Sequence, residues 1–156
     1  MKIPKTQIRA ACAAVALAAL AAAGYARADQ PDGTKTATQL VHTFVLALNT
    51  ENVALFDKVF PPNYIQHNPD VAPGLAGIKK VFGEQFKVMQ SKHMQFHVAI
   101  EDIVVDGDRV VLRELTTVRS NGKTYVNRSL DEWRVAGGML AEHWDSDSQM
   151  REVKNS

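Results

Sequence analysis

The sequence predicts an α+β domain in which amphipathic helices come first and an antiparallel sheet follows. Apolar residues recur at helical spacing as far as Met89, and after Ser91 the period changes from 3.6 to 2. Three turn signals then separate four alternating stretches: Val105-Asp106-Gly107-Asp108, Ser120-Asn121-Gly122-Lys123 and Ala136-Gly137-Gly138.

The chain opens with Lys2, Lys5 and Arg9 before an uncharged apolar run, Ala10 to Ala23, and the small-x-small exit Ala26-Arg27-Ala28. That order reads as a secretory signal cleaved after Ala28, which places the protein in the periplasm or outside the cell and leaves no membrane segment behind. Cys12, the only cysteine, leaves with it, so the mature chain has neither a disulfide framework nor a thiolate for catalysis or metal binding. Cleavage also removes four basic residues, leaving 14 basic against 17 acidic. No basic stripe remains, which excludes the footprint of a nucleic-acid binder. What is left is the length of one ordinary domain, held by a core.

Asp29 to Lys35, with Pro31 and Gly33, reads as a loose leader to a domain spanning 36–149. From Thr36, Leu40, Val41, Phe44, Val45 and Leu48 define one helix with Asn49 as its stop. A second short helix, Glu51 to Val59, can take Thr50 as cap and must end before Pro61-Pro62. A third, Leu75 to Met89, buries Leu75, Ile78, Phe82, Phe86 and Met89; Gly83 inside it implies a close contact or a kink. Beyond the strands, residues 150–156 read as a polar tail.

Chemistry concentrates in two places. In the last hairpin, a two-residue Gly137-Gly138 loop puts Asp131 opposite Trp144 and Glu132 opposite His143. A three-residue loop, Ala136 to Gly138, pairs Asp131 with His143 and Trp133 with Ala141. The longer loop is favoured because it requires a left-handed glycine, and it places Asp131, Trp133, His143 and Asp145 on one face. A poorly solvated carboxylate beside an imidazole can serve as a general base with a donor or relay; the plain alternative is a polar cross-strand pair on a solvated face. The second place is Asn63 to Asp70, a loop or short edge strand in which Tyr64, Gln66, His67 and Asn68 supply hydrogen-bonding groups, though Asn-Pro-Asp is also ordinary turn chemistry.

Other polar residues read as structural. His93 and His97 lie on one side of a strand, two steps apart and without a third ligand, which argues against a metal site. Arg113 in its apolar strand is expected to pair with Glu114 or an acid on a neighbouring strand. Asn127-Arg128-Ser129 matches a glycosylation sequon but falls within a strand.

Tyr64-Ile65-Gln66-His67-Asn68-Pro69, followed by Asp131-Glu132-Trp133 and the closing Glu142-His143-Trp144-Asp145, resembles the SnoaL-like polyketide cyclase family of the nuclear transport factor two-like superfamily, over about Thr36 to Gln149. The resemblance implies a cone: a curved antiparallel sheet wrapped around helices, with an apolar pocket at one end. It also implies proton abstraction next to a carbonyl without a cofactor, and homodimers through the outer sheet face. On that basis Asp145 becomes the general base, His143 and Asp131 its support, Tyr64, Gln66, His67 and Asn68 pocket donors, and Trp133 a wall for a small apolar carbonyl compound. The alternative is an exported small-molecule-binding or accessory protein with the same pocket and no turnover.

Overall fold

The computed structural model describes residues 33–146 and 149–153, with side chains from Thr36 onward. The signal segment and most of the leader lie outside the described residues. The first helix, α1, runs Gly33–Asn49, three residues further toward the N-terminus than its apolar stripe suggested. It buries Ala37, Leu40, Val41, Phe44, Val45 and Leu48, the face expected of a 3.6-residue repeat. Asn49 does more than end the helix. Its carboxamide accepts from Val98 N at 2.7 Å and donates to Val98 O at 2.9 Å, pinning α1 to the sheet in the way a neighbouring strand would.

Thr50 does not cap the next element, because its hydroxyl turns back to Leu46 O at 2.6 Å and Glu51 adopts a left-handed conformation. The chain can restart only at Asn52, whose side chain accepts from Ala54 N and so opens a short 3-10 helix, Val53–Lys58. A two-residue strand, β1 (Ile65–Gln66), leads to α2 (Gly74–Ser91). With Pro73 at its cap position, α2 has no side-chain cap; loop carbonyls satisfy its first donors instead, Gly74 N to Tyr64 O at 2.9 Å and Leu75 N to Pro62 O at 3.2 Å. Helix and site loop are thereby tied together.

The glycine that allows close packing on α2 is Gly77, not Gly83. A Cβ at Gly77 would lie 1.8 Å from Ala72 O, whereas at Gly83 it would meet only Val53 Cγ1 at 3.9 Å.

Strands β2 (Gln95–Asp106), β3 (Arg109–Ser120), β4 (Lys123–Ala136) and β5 (Met139–Asp145) form the expected meander. Two strands extend it: β1 pairs in parallel with β5, and β6 (Arg151–Val153), within what the sequence reads as a polar tail, pairs with Thr124–Val126 of β4. The sheet order is β1-β5-β4-β3-β2, open at both ends and curved over the helices. Between sheet and helices lies an aromatic core centred on Phe44, which meets Phe60 and Phe82 edge-on and Trp133 at 5.2 Å. Truncating a buried hub of this kind to alanine costs about 3–5 kcal/mol.

The last hairpin departs from the favoured register. Its loop is the two-residue one, with Gly137 and Gly138 both at positive φ and Ala136 paired with Met139. A bulge then inserts Ala141, so that Arg134 pairs with Glu142, Trp133 with His143 and Asp131 with Asp145. One bulged residue restores the parity that a three-residue loop would have set, so the four residues still share a face although their partners differ.

Candidate active site

The inward faces of β4, β5 and β1 and one side of α2 enclose a cavity of about 160 Å³. Phe44, Val71, Ile78, Val81 and Phe82 form its apolar wall, and Gln85 adds a polar group from α2. The opposing wall holds Tyr64, Gln66, Asn68, Asp131, Trp133, His143 and Asp145, all singled out from the sequence. No lysine or arginine is among the described residues that line it.

A continuous hydrogen-bond network positions these groups. Asn68 Oδ1 accepts from Asp70 N at 2.9 Å, which turns Nδ2 toward Asp145 Oδ2 at 2.7 Å. Gln66 Oε1 accepts from Asn68 N at 2.9 Å, which identifies that atom as the oxygen, and it also lies 3.0 Å from His143 Nδ1. His143 Nδ1 therefore carries a proton. On the other side of the ring, Nε2 lies 2.9 Å from Asp131 Oδ1, while the ring itself stacks on Trp133 at 5.0 Å.

His67 stands apart. Tyr64, Gln66 and Asn68 alternate with Ile65 and His67 along the edge strand, so the first three face the cavity and His67 faces outward. Its Nε2 meets Glu142 Oε1 at 2.9 Å and its ring stacks on Trp144 at 4.8 Å, with the Arg109 guanidinium 4.6 Å from the same indole. Hydrogen bonds from His67 and then Arg134 hold the Glu142 carboxyl below its usual range.

Two buried groups have displaced ionisation. Burial pushes the Tyr64 phenol well up; the nearby Trp133 N–H, though short of hydrogen-bond geometry, opposes this, and Asp131 and then Asp145 reinforce it. Tyr64 is therefore a neutral donor. Glu114, which sequence reasoning treated only as a partner for Arg113, is buried on the inward stripe of β3 between Leu112 and Thr116. Burial and then Asp131 raise its carboxyl to about 7, against hydrogen bonds from Thr116 and Ser129. Alternation along Val110, Leu112, Glu114, Thr116 and Val118 was the signal that could have found it.

The remaining polar residues are structural. His93 has positive φ in the turn closing α2 and does not join His97 in β2, contrary to the expected shared strand. Arg113 approaches Glu101 and Asp102 on β2, both at 3.6 Å. One ligand atom each from Asp131, His143 and Asp145 lies within 4.8 Å of the others, a spacing an ion could bridge. Both His143 nitrogens are already hydrogen bonded, so coordination would displace the Asp131 contact.

Fold and site together define a small α+β cone with an acid–imidazole pocket. The chain belongs to the SnoaL-like family, whose domain matches residues 41–143. Among curated proteins none matches the sequence. TsrD from Streptomyces laurentii is 24% identical, over 74% of this chain and 88% of its own, with a TM-score of 0.63. A putative polyketide cyclase from Bacillus cereus is 23% identical, over 71% of this chain and 73% of its own, with a TM-score of 0.63. An LEH-like epoxide hydrolase from M. tuberculosis is 18% identical, over 71% and 81%, with a TM-score of 0.58. At these identities the structural likeness establishes the nuclear transport factor two-like fold.

Proposed function

We propose that this protein is an acid–base enzyme that needs no cofactor and removes a proton next to the carbonyl of a small, largely apolar compound, with Asp145 as the base. The observation that carries this reading is the setting of Asp145. One oxygen is anchored by Asn68, no hydrogen bond from a described residue occupies the other, and no lysine or arginine among the described residues lines the cavity. A carboxylate held this way is oriented and keeps one oxygen free to take a proton. Asp131 and His143 lie beside it and form a second site through which a proton can pass. The activities named for the structural neighbours differ, a polyketide cyclase and an epoxide hydrolase, so the choice rests on this site and not on the fold.

The reading includes export, on the strength of Met1 to Ala28, and a homodimer, on the strength of the superfamily resemblance. An exported enzyme meets diffusible carbonyl compounds, in contrast to intermediates made in the cytoplasm. N-terminal sequencing of the secreted chain and light scattering of the mature protein test these two points.

Hydrogen–deuterium exchange of small ketones and β-keto esters, followed by NMR, tests the chemistry. Asp145→Asn should lower exchange by about two or more orders of magnitude. Full exchange in that variant removes Asp145 from the role, and no exchange by the native protein across the panel favours a binding protein without turnover.

A further inference from the structure

Two buried donors in the cavity, Tyr64 Oη and Trp133 Nε1, approach each other but neither makes a hydrogen bond of proper geometry. Their residues are 2% and 0% exposed, so neither atom is served by bulk solvent. An unpaired buried polar group is costly, and native structures keep few of them. Here two occur together, and their side chains line the same cavity. Neither can easily swing away to find a partner. Tyr64 packs on Phe60 at 4.5 Å and its carbonyl holds Gly74 N, while Trp133 is wedged between Phe44 at 5.2 Å and His143 at 5.0 Å.

Most other groups on that wall already serve the network: His143 is engaged through both nitrogens, one Asn68 Nδ2 hydrogen goes to Asp145, and Gln66 Oε1 accepts twice. A substrate oxygen seeking a donor from His143 would have to break the network that orients the base. The indole N–H can only donate, and the phenol has its hydrogen to give.

We propose that Tyr64 Oη–H and Trp133 Nε1–H together receive the reacting oxygen of the substrate, and that this substrate is a single-ring or short-chain compound. The proposal rests on the acid–base reading above for its chemistry. Asp145 takes the proton from the carbon next to the carbonyl. The C–H pair becomes the new C=C bond, the carbonyl π pair moves onto oxygen, and the resulting enolate oxygen sits against the two donors. Asp145 gives up that proton to solvent, takes a solvent proton in its place and returns it to carbon, which completes exchange. Donors fixed before the reaction and shielded from water are the arrangement that stabilises such an oxyanion, and losing one costs about 10²–10³ in rate. The size limit follows from the volume: a cavity of about 150 Å³ accommodates benzene, and this one is about 160 Å³. A fused polycycle would extend past the mouth of the cavity.

The test uses 4-nitrophenol, a one-ring compound whose phenolate oxygen stands for the enolate and whose absorbance reports its ionisation. It is titrated into Asp145→Asn, which mimics the protonated base, and into Asp145→Asn carrying Tyr64→Phe. Tyr64→Phe keeps the ring and its packing, so folding is retained. The added substitution should weaken phenolate binding about tenfold, the loss of one hydrogen bond to a charged group. The Trp133 indole N–H resonance, resolved from that of Trp144 by Trp144→Phe, should move downfield on binding. Equal affinity in both variants with an unmoved Trp133 resonance overturns the donor pair. If 2-naphthol binds as tightly as 4-nitrophenol, the size limit falls.

Failure of the acid–base reading is distinguishable. Native protein that exchanges no carbonyl compound, yet holds the phenolate through Tyr64, loses the base and keeps the donor pair. Exchange that depends on Asp145 but is unchanged by Tyr64→Phe keeps the base and loses the pair.

Discussion

His143 Nε2 lies 2.9 Å from Asp131 Oδ1, and a single proton lies between them. The count is set by the far side of the ring, where Gln66 Oε1, already fixed as an acceptor by Asn68 N, requires a proton on Nδ1. The pair is then either imidazolium with carboxylate or neutral imidazole with carboxylic acid. Nitrogen-15 NMR of the histidine rings should find Nδ1 of His143 protonated. Gln66→Leu should release the tautomer and lower turnover about 10- to 100-fold through misplacement of the ring. An unprotonated Nδ1 in the native protein contradicts this account of the site.

Glu114 makes folding stability depend on pH in a direction opposite to most carboxylates. Its carboxyl is raised from 4.5 to about 7, so the folded state keeps a proton that the unfolded chain releases. Stability therefore falls as pH rises from the unfolded value through about 7, and is level above that. Glu114→Gln should remove the slope and stabilise the protein by up to about 3 kcal/mol near pH 8, with little change near pH 4. Chemical denaturation at the two pH values measures it. A variant no more stable than native at the higher pH would mean that Glu114 folds as a well-solvated carboxylate.

Gly77 and Gly83 occupy the same helix and should respond oppositely to alanine. At Gly77 the new Cβ would fall within 1.8 Å of a backbone carbonyl that cannot move without shifting the loop carrying Asn68 and Asp70. A loss of about 3 kcal/mol or more is expected, at the upper end of what overpacking costs. At Gly83 only ordinary contact awaits, so Gly83→Ala should gain about 0.5–1 kcal/mol from helix propensity. Urea midpoints of the two variants test the contrast.

The fold was legible because helical and strand periods do not overlap in this chain, and three turn signals mark the strand ends. Strand β6 was not legible: three exposed residues, Arg151 to Val153, carry no alternation, and only the overhang of β4 beyond β5 gives them a partner. The grouping of Asp131, Trp133, His143 and Asp145 was readable despite a wrong register, since facing depends only on parity, and a bulge at Ala141 changes parity as a longer loop does. The bulge leaves no mark in local sequence. Leu140 N donates to Val59 O at 2.8 Å, a contact from a distant part of the chain. Glu114 and the outward turn of His67 were both readable by alternation, but charge and motif drew attention elsewhere.

His67 provides the sharpest distinction between a pocket residue and a clasp outside it. Strand β1 meets β5 through only two residue pairs, yet it carries Gln66 and leads directly to Asn68, so its attachment governs how well His143 and Asp145 are oriented. On the outer face His67 supplies that attachment through Glu142 and Trp144. The ring stack is worth about 0.5–1.5 kcal/mol, and the partly exposed pair about 0.2–1 kcal/mol after solvent screening. His67→Ala should therefore destabilise the protein by about 1–2 kcal/mol and lower turnover modestly, with KM nearly unchanged. His67→Phe keeps the stack and should recover more than half of the stability. A residue that bound substrate would behave differently, raising KM steeply in both variants while leaving the denaturation midpoint in place. Steady-state kinetics and denaturation of the two variants decide between these roles, and a steep rise in KM without loss of stability would put His67 back inside the pocket.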